Sequence, residues 1–313
     1  MNYAVIDLGS NTMRLSIYEY EGGQIHRIFN KKEIAGLAEY IKYGVLDTTG
    51  IMKACDVLNS FKAAAMTYVE IDNLHLFATA SLRNINNRDE AVGTIVSETG
   101  LTPDILEGHE EAELGYIGAS GYIRRENGIM IDIGGASTEL VLFKESQAVN
   151  LISLPVGCLN LSVDHVSRII PNSEECVIIK ETVKEQLNNI DWGANLNCAL
   201  MIGVGGTLRA VQKLVGAVSR MPPGQYDIDV CKVKELSKLI KENRDNIYHT
   251  IYKTTPERLM TISTGIIILC QVIKHFGCEK IAVSRFGLRE GYLIDRVLMR
   301  NDRYSIDERG AED

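Results

Sequence analysis

Apolar and polar positions follow two different periods along the chain. Short apolar runs at Tyr3–Asp7, Ile129–Ile133 and Ala199–Val204 predict buried strands. Segments whose apolar residues recur three and four positions apart, such as Ile51–Ile71 and Pro256–Phe276, predict helices. Because strands and helices alternate along the chain, the pattern predicts an α/β fold.

One pattern of strand, turn and strand occurs twice. Residues 4–15 (AVIDLGSNTMRL) align without a gap on residues 129–140 (IMIDIGGASTEL), so that Asp7 lies over Asp132. Each copy has an apolar strand, an aspartate, a glycine, small residues and then a leucine. A duplicated unit at the start of each half predicts two similar domains that face each other across a cleft.

The length of the chain also favours two domains. A chain of 313 residues exceeds what one compact core usually holds. We place the first domain at residues 1–124 and the second at residues 125–313. A helix at Leu288–Arg300 is expected to pack back on the first domain.

Composition excludes several classes of protein. The net charge of −8 argues against a nucleic-acid binder, which needs a basic face. The longest apolar segment, Ile266–Cys270, is too short to span a bilayer, and the N-terminal residues do not resemble a signal peptide. Seven scattered cysteines without a C-x-x-C pair indicate reduced thiols. We therefore expect a cytoplasmic protein that binds neither membrane nor nucleic acid.

The repeated turns have the chemistry of a phosphate site. Phosphate oxygens need backbone N–H donors at close range, which glycine and small residues allow. The aspartate at the end of each strand can hold Mg²⁺ directly or through water. A single turn of this kind is more often an ordinary hairpin. A third glycine-rich turn at Gly203–Thr207, between a strand and a helix, favours the functional interpretation.

These turns are similar to the phosphate loops of the acetate kinase, actin and hexokinase superfamily. More narrowly, the chain resembles the exopolyphosphatase/guanosine pentaphosphate phosphohydrolase (Ppx/GppA) family, in its short two-domain type. Residues 78–83 (ATASLR), 107–112 (EGHEEA) and 287–291 (GLREG) extend this resemblance over nearly the whole chain. It implies two ribonuclease-H-like (actin-like ATPase) domains, Mg²⁺-dependent phosphate hydrolysis and a homodimer.

The resemblance also implies a role for individual residues. Glu110 matches the proposed general base, and Glu139 a second catalytic carboxylate that positions Mg²⁺ and water. The implied metal ligands are Asp7, Asp132 and Glu139. The implied phosphate-binding residues are Ser10, Asn11, Thr12, Arg14, Arg83, Gly134, Gly135, Ser137, Thr138, Gly205, Gly206 and Thr207.

Two of these residues also have simpler interpretations. A glutamate in the first turn of a helix, such as Glu110, is commonly a solvated side chain that interacts with the helix dipole. Arg83 could form a surface ion pair with Asp89 or Glu90.

The chain departs from the family pattern at several positions. Ala136 replaces a common glycine, and Asn160 stands where members commonly carry arginine. Residues 255–262 lack the usual Arg-Ala-Asp run, and residues 284–286 (SRF) replace a common Ser-Asp-x. If these changes only slow the enzyme, Ala136→Gly together with Asn160→Arg should raise its activity.

Exopolyphosphatase activity is the leading interpretation. Hydrolysis of guanosine pentaphosphate uses the same cleavage with another leaving group, and the sequence contains no signal for a purine pocket. A sensor that binds polyphosphate or guanosine polyphosphates without turnover also stays open. A sugar or acetate kinase shares the loops, but residues 107–112 and 287–291 disfavour it.

Overall fold

The computed structural model describes residues 1–192, 198–219, 227–242, 244–298 and 305–306. The chain forms two compact units, one made of Met1–Tyr122 with the segment from Leu288 onward, the other of Ile123–Gly287. The segment from Leu288 onward belongs to the first unit, which agrees with the expected packing of the last helix on the first domain. Each unit is described by itself, and the predicted cleft stays a prediction.

The elements alternate between strand and helix, as the sequence predicts. The strands are β1 (Asn2–Leu8), β2 (Thr12–Glu21), β3 (Gln24–Ile34), β4 (Ile41–Lys42), β5 (Val45–Leu46), β6 (Leu74–Ala78), β7 (Asp104–Ile105), β8 (Gly128–Ile133), β9 (Thr138–Lys144), β10 (Gln147–Leu154), β11 (Leu200–Val204), β12 (Asp227–Asp229), β13 (Lys280–Val283) and β14 (Ser305–Ile306). The α-helices are α1 (Thr48–Ala65), α2 (Ala80–Arg83), α3 (Arg88–Thr99), α4 (Gly108–Tyr122), α5 (Asn160–His165), α6 (Ser173–Asn188), α7 (Gly205–Ser219), α8 (Val230–Glu242), α9 (Arg244–Thr254), α10 (Ile262–Phe276) and α11 (Leu288–Tyr292). A π-helical turn at Leu293–Val297 continues α11, and residues 299–300 of the predicted last helix lie outside the described residues.

The two main sheets share one topology. The first has the strand order β14-β3-β2-β1-β6-β7, and the second has the order β10-β9-β8-β11-β13-β12. In each sheet the first three strands along the chain are antiparallel, and β6 and β7 in the first sheet and β11 and β13 in the second run parallel to the first strand. The edge strand β12 is antiparallel to β13, and β14 lies parallel to β3 at the opposite edge of the first sheet. The predicted duplication therefore extends over five strands of each sheet, β3-β2-β1-β6-β7 and β10-β9-β8-β11-β13.

The central strand of the first sheet is buried on both faces. Ala4, Ile6 and Leu8 point into a core shared with α1 and α3, whereas Val5 points into a second core with α4 and α11. A strand covered on both faces requires a nearly continuous apolar run, and this explains the sequence of β1. In the second unit, alternate residues of β8 join one large core with the helices from α6 to α10.

Capping residues determine where helices α3 and α1 begin or end. Helix α3 spans Arg88–Thr99 as predicted, because Gly100 ends it in the left-handed conformation with a φ of 67°. Helix α1 begins earlier than predicted, because the Asp47 side chain caps its N-terminus by accepting a hydrogen bond from Gly50 N at 2.8 Å. It also ends earlier than predicted, at Ala65.

The predicted helix at Pro256–Phe276 is wrong over its first residues. A 3₁₀ turn at Pro256–Arg258 comes first, and α10 begins only at Ile262. Bonds from Arg258 N to Thr255 O and from Thr261 N to Arg258 O tighten this segment and separate it from the helix. The separation matters because it leaves Arg258 outside the helix.

The segment after the second unit returns to the first sheet. Helix α11 lies against α4 at Gly291, where any Cβ would overlap the Leu114 carbonyl. Arg289 Nη1 donates to Ser16 Oγ at 2.6 Å, and Tyr18 OH donates to Glu290 Oε1 at 2.6 Å. Residues 288–291 therefore complete the core of the first unit, and their polar side chains form buried hydrogen bonds there.

Among the described residues, no helix combines the length and the apolar character needed to cross a membrane.

Candidate functional site

The second copy of the repeated turn carries two carboxylates on facing strands. Asp132 near the end of β8 pairs in register with Glu139 at the start of β9, and Gly134 N donates to Ser137 O at 2.9 Å to close the turn between them. Glu139 is only 2% exposed and accepts a hydrogen bond from Ser153 Oγ at 2.8 Å. Ser153 lies on β10, a strand that the sequence analysis did not predict.

A neighbouring segment holds this turn from behind. Cys158 N donates to Gly134 O at 2.9 Å, and Leu159 N donates to Gly135 O at 2.8 Å. Gly157 lies so close to the Gly135 carbonyl that a Cβ would overlap it. These contacts occupy the carbonyl groups of the turn, so its carbonyl side faces the protein.

Asn160 is part of the same support. Its Nδ2 donates to Ala136 O at 3.1 Å, while its Oδ1 accepts from Gly157 N and Leu161 N, each at 2.8 Å. The interpretation of Asn160 as a lost cation site is therefore incomplete. The Asn160 side chain fixes the turn at Ala136, which is itself a position where the sequence departs from the family pattern.

The third glycine-rich turn meets the second beside Asp132. Gly205 has a φ of +80°, and a Cβ at this position would overlap the Asp132 carboxylate. Thr207 Oγ1 donates to Ile133 O at 2.7 Å, which ties the start of α7 to the end of β8. The structure thus brings together the predicted residues Asp132, Gly134, Gly135, Ser137, Thr138, Glu139, Gly205, Gly206 and Thr207.

The hydroxyl groups of the predicted threonines serve internal contacts. Thr138 is fully buried, and its Oγ1 donates to Val156 O at 2.6 Å. The Thr207 hydroxyl is likewise used by the Ile133 carbonyl. Both residues shape the site, so any contact with an anion must come from the backbone amides around them.

Arg258 adds a cation that the sequence analysis missed. Its Nη1 donates to Thr207 Oγ1 at 3.1 Å, and its guanidinium fills the space that a Cβ on Gly206 would need. Among the described residues no carboxylate pairs with Arg258. A half-buried guanidinium at the start of a helix, without a carboxylate partner there, is suited to bind an anion.

The first copy of the turn differs in its charges. Asp7 pairs in register with Arg14, the residue that corresponds to Glu139 in the second copy. Burial raises the pKa of Asp7, and the nearby Arg289 and Arg14 lower it again in part. The turn is fixed by Ala38 N, which donates to Ser10 O at 3.0 Å.

The other predicted residues of the first turn lie in the same place. Gly36 N donates to Asn11 O at 2.9 Å, and Thr12 begins β2 directly after the turn. Ser10, Asn11 and Thr12 are all half-buried. The structure therefore groups the predicted residues Asp7, Ser10, Asn11, Thr12 and Arg14 at one edge of the first sheet.

Arg83 forms an internal contact and not the surface pair considered above. Its Nη1 donates to Glu111 Oε2 and to Leu106 O, both at 2.9 Å, and its side chain is 9% exposed. The alternative ion pair with Asp89 or Glu90 is therefore wrong. Arg83 connects the end of α2 to the first turn of α4.

Glu110 uses both of its carboxylate oxygens in the structure. Oε2 accepts from Glu107 N at 2.9 Å, and Oε1 accepts from Arg296 Nη2 in a short contact. The bond from the Glu107 amide is the main cause that lowers the pKa of Glu110, and Arg296 lowers it further. Glu110 is therefore ionised at neutral pH, which is the state that a general base needs.

The carboxylates of the second unit suit a hard divalent cation. Among the described residues there is no cluster of three or more His, Cys, Asp or Glu that could hold a metal. Mg²⁺ does not need one, because it commonly binds one or two carboxylates and takes its other ligands from water and phosphate. The facing pair of Asp132 and Glu139 matches that requirement.

Comparison with known proteins gives consistent results. The model of the Ppx/GppA phosphatase family matches residues 16–300. A guanosine-5'-triphosphate,3'-diphosphate pyrophosphatase from Vibrio cholerae is 25% identical over 309 residues, covering 94% of this chain and 59% of the relative. The protein of the same name from Aeromonas hydrophila is 26% identical, covering 99% of this chain and 65% of the relative. The chain thus spans about three-fifths of the length of these relatives.

Solved structures share the fold over nearly the whole chain. An exopolyphosphatase from Cytophaga hutchinsonii superposes with a TM-score of 0.85 at 21% identity, covering 97% of this chain and 100% of that one. The Aquifex aeolicus member of the Ppx/GppA family superposes with a TM-score of 0.76 at 25% identity, covering 96% and 99%. These matches confirm the predicted fold class.

Proposed function

Because the chain belongs to the Ppx/GppA phosphatase family, we propose that it hydrolyses the terminal phosphoanhydride bond of inorganic polyphosphate. The observation that carries this proposal is the anion site of the second unit, where two glycine-rich turns and Arg258 converge beside two carboxylates. Guanosine pentaphosphate is the second candidate substrate, since relatives that match nearly the whole of this chain are named guanosine-5'-triphosphate,3'-diphosphate pyrophosphatases.

Backbone amides and one guanidinium would bind the terminal phosphate. The turn at residues 134–137 has its carbonyls engaged from behind, and α7 begins at Gly205 with the positive end of its dipole at the site. Arg258 adds a positive charge, and no carboxylate of the described residues forms an ion pair with it. Such preorganised donors are the main means by which proteins stabilise the charge of a phosphoryl group in transfer.

Asp132 and Glu139 would hold the metal ion. When bound, Mg²⁺ would neutralise the charge of the phosphate oxygens and orient them for in-line attack. Ser153 donates to Glu139 Oε1 and keeps that carboxylate oriented on β9. In the first unit, Asp7 is the corresponding carboxylate, and we propose that it contributes a metal ligand or orders its own turn.

Glu110 would accept the proton of the attacking water. The water oxygen forms a bond to the terminal phosphorus while the bond from that phosphorus to the bridging oxygen breaks, and the shortened chain leaves. For this step one oxygen of Glu110 must be released from Arg296 or from the Glu107 amide. The homodimer and the cytoplasmic location stay predictions.

Phosphate release tests the proposal directly. We would measure release from long-chain polyphosphate and from guanosine pentaphosphate, side by side, with and without Mg²⁺. Release that requires Mg²⁺ and falls strongly in Arg258→Met supports the proposal, and the variant also excludes a contaminating phosphatase. Binding of either compound without any release in the wild type would contradict it and favour a sensor.

A further inference from the structure

A two-residue hairpin in the first unit exposes one aromatic ring. Strands β4 and β5 pair Lys42 with Val45, so Tyr43 and Gly44 form the connection. The Tyr43 side chain is 100% exposed, and its backbone has a φ of 53°. A hairpin turn with positive φ at both central residues favours Asn, Asp or Gly at the first, because larger residues are strained there. The turn itself therefore does not account for a tyrosine.

The hairpin is fixed to the segment between α2 and α3. Asn86 N donates to Gly44 O at 2.6 Å, and Asn86 Nδ2 donates to Tyr43 O at 3.2 Å. Asn87 exchanges two further hydrogen bonds with the backbone of Leu46, at 2.9 and 3.0 Å. The position of the Tyr43 backbone is thus set by the fold, which lowers the entropic cost of using the residue to bind a ligand.

The same hairpin is joined to the first phosphate turn. Ala38 N donates to Ser10 O at 3.0 Å, and Tyr43 follows Ala38 by five residues. Five residues span at most about 17 Å, so the ring stands no farther than that along the chain from the contact with the turn. A ligand whose phosphates bind at residues 10–12 can therefore extend toward Tyr43.

Asn86 offers a hydrogen-bond acceptor beside the ring. Its carboxamide lies against Gly44 so closely that a Cβ there would meet Nδ2 at 2.6 Å. Among the described residues nothing donates to Asn86 Oδ1. A free acceptor next to an exposed ring is the combination that recognises a base with N–H groups on its edge.

We infer that Tyr43 and Asn86 form a subsite for the purine base of a guanosine polyphosphate whose phosphate groups bind at the first turn. Stacking on an aromatic ring binds any base, and the Asn86 acceptor favours guanine, which presents N–H donors on its pairing edge. The other residues at the tip are Lys42, Gly44 and Val45, and of these only Val45 is an exposed apolar residue. The tip therefore offers one ring and one small side chain, and not an apolar patch of the size a protein partner needs. This inference rests on the proposed function, because it assigns the base of one of its two candidate substrates.

The experiment compares two substrates and four proteins. We would determine KM for guanosine pentaphosphate and for long-chain polyphosphate with the wild type, Tyr43→Ala, Tyr43→Phe and Tyr252→Ala. Tyr252 is an exposed tyrosine of the second unit and serves as a matched control. Tyr43→Ala should raise KM for guanosine pentaphosphate about tenfold, the effect expected for one lost stacking contact. Its KM for polyphosphate should stay within about twofold, and Tyr43→Phe and Tyr252→Ala should behave as the wild type.

The outcomes separate this inference from the proposed function. If the wild type hydrolyses a substrate but Tyr43→Ala changes neither KM, or changes both equally, the inference is wrong and the proposed function stands. If the wild type hydrolyses neither, calorimetry with guanosine tetraphosphate and with inorganic tripolyphosphate decides. Weaker binding of only the nucleotide in Tyr43→Ala supports the base subsite, and equal binding by both proteins overturns it.

Discussion

Asp132 and Glu139 face each other across β8 and β9, whereas the corresponding positions of the first unit hold Asp7 and Arg14. The two turns share one backbone pattern and differ in this single charge. Two carboxylates opposite each other repel unless a cation lies between them, whereas an aspartate and an arginine opposite each other attract. The carboxylate pair of the second copy therefore favours a bound cation, whereas the pair of the first copy balances its own charge.

The facing carboxylates predict a stabilising effect of Mg²⁺. We expect the Tm of the wild type to rise with millimolar Mg²⁺, because binding to the folded state alone stabilises it. Glu139→Gln keeps an oxygen for Ser153 Oγ but removes one of the two charges, so its Tm should respond much less. Differential scanning calorimetry over a Mg²⁺ titration measures this difference.

Glu185→Gln is the matched control, since it removes an exposed carboxylate from α6. It should keep the response of the wild type. An equal Mg²⁺ response in Glu139→Gln would show that Glu139 does not bind the ion.

Gly206 and Arg258 predict a non-additive pair of substitutions. Gly206→Ala should displace the Arg258 guanidinium, because the new Cβ takes its place. We expect KM to rise about tenfold or more in Gly206→Ala and in Arg258→Met, the scale of a lost charge-assisted contact. The double variant should be no worse than Arg258→Met alone, since both changes remove the same contact.

Gly216→Ala controls for the general effect of replacing a glycine in α7. A Cβ at Gly216 meets no atom within 4 Å, so this variant should keep its KM and gain about 0.5–1 kcal/mol of stability. Additive increases in KM in the Gly206/Arg258 double variant would mean that the effect of Gly206→Ala does not act through Arg258.

Asn160→Arg should lower the stability of the fold and should not raise phosphate-hydrolysing activity. The substitution removes the hydrogen bonds of Asn160 to Ala136 O, Gly157 N and Leu161 N. At about 1 kcal/mol for each, we expect the free energy of unfolding to fall by about 2–3 kcal/mol. Asn160→Asp keeps both acceptor contacts and should lose less, which urea denaturation can measure. Unchanged stability with higher turnover in Asn160→Arg would instead support the earlier view that this position lost a cation.

Glu110 predicts the acid side of the pH–rate profile. Glu110→Gln should retain the fold and lower turnover about a hundredfold or more, if Glu110 is the base. Because the Glu107 amide and Arg296 lower the pKa of Glu110, wild-type kcat/KM should fall only below the range of an ordinary glutamate. In Arg296→Gln the pKa rises toward its usual value, and the fall should move to higher pH.

The same lowered pKa affects stability in a defined direction. The contacts of Glu110 stabilise the fold fully above the pKa of an unfolded glutamate, and this contribution is lost as the pH falls through the lower pKa of the folded state. Arg124→Gln is the matched control for Arg296→Gln, because it also removes an arginine, here an exposed one, and it should leave the pH dependence of kcat/KM unchanged. A profile that is the same in Arg296→Gln and the wild type would mean that Glu110 does not limit the rate.

The elements with strong local signals were predictable from the sequence. The two repeated turns, α3 with its terminal glycine and the buried strand β13 follow directly from apolar periodicity and capping residues. Strands β3 and β10 were missed because they are partly exposed and carry polar residues, so their apolar alternation is weak. The sequence predicts one helix at Lys232–Asn246, which covers most of α8 but only the first residues of α9, because this polar segment shows no clear helix boundary.

The site was predictable where it follows the repeat and unpredictable where it depends on packing. Asp132, Glu139 and the glycines come from local sequence, and the structure brings them together. Arg258 was missed because its segment was interpreted as the start of an apolar helix, and only the 3₁₀ turn directs its guanidinium to Gly206. Asn160 was misjudged because a comparison of residue types cannot show hydrogen bonds to Ala136.

The return of α11 to the first sheet determines the order in which the units can be completed during synthesis. The second unit is one continuous segment, Ile123–Gly287, and all of its residues leave the ribosome before Leu288. The first unit begins at Met1 but lacks Tyr292, Leu293 and Ile294 of its second core until the whole second unit has been synthesised. Although domains often fold in their order along the chain, the nascent N-terminal sheet has one face covered by α4 alone while the second unit is being synthesised.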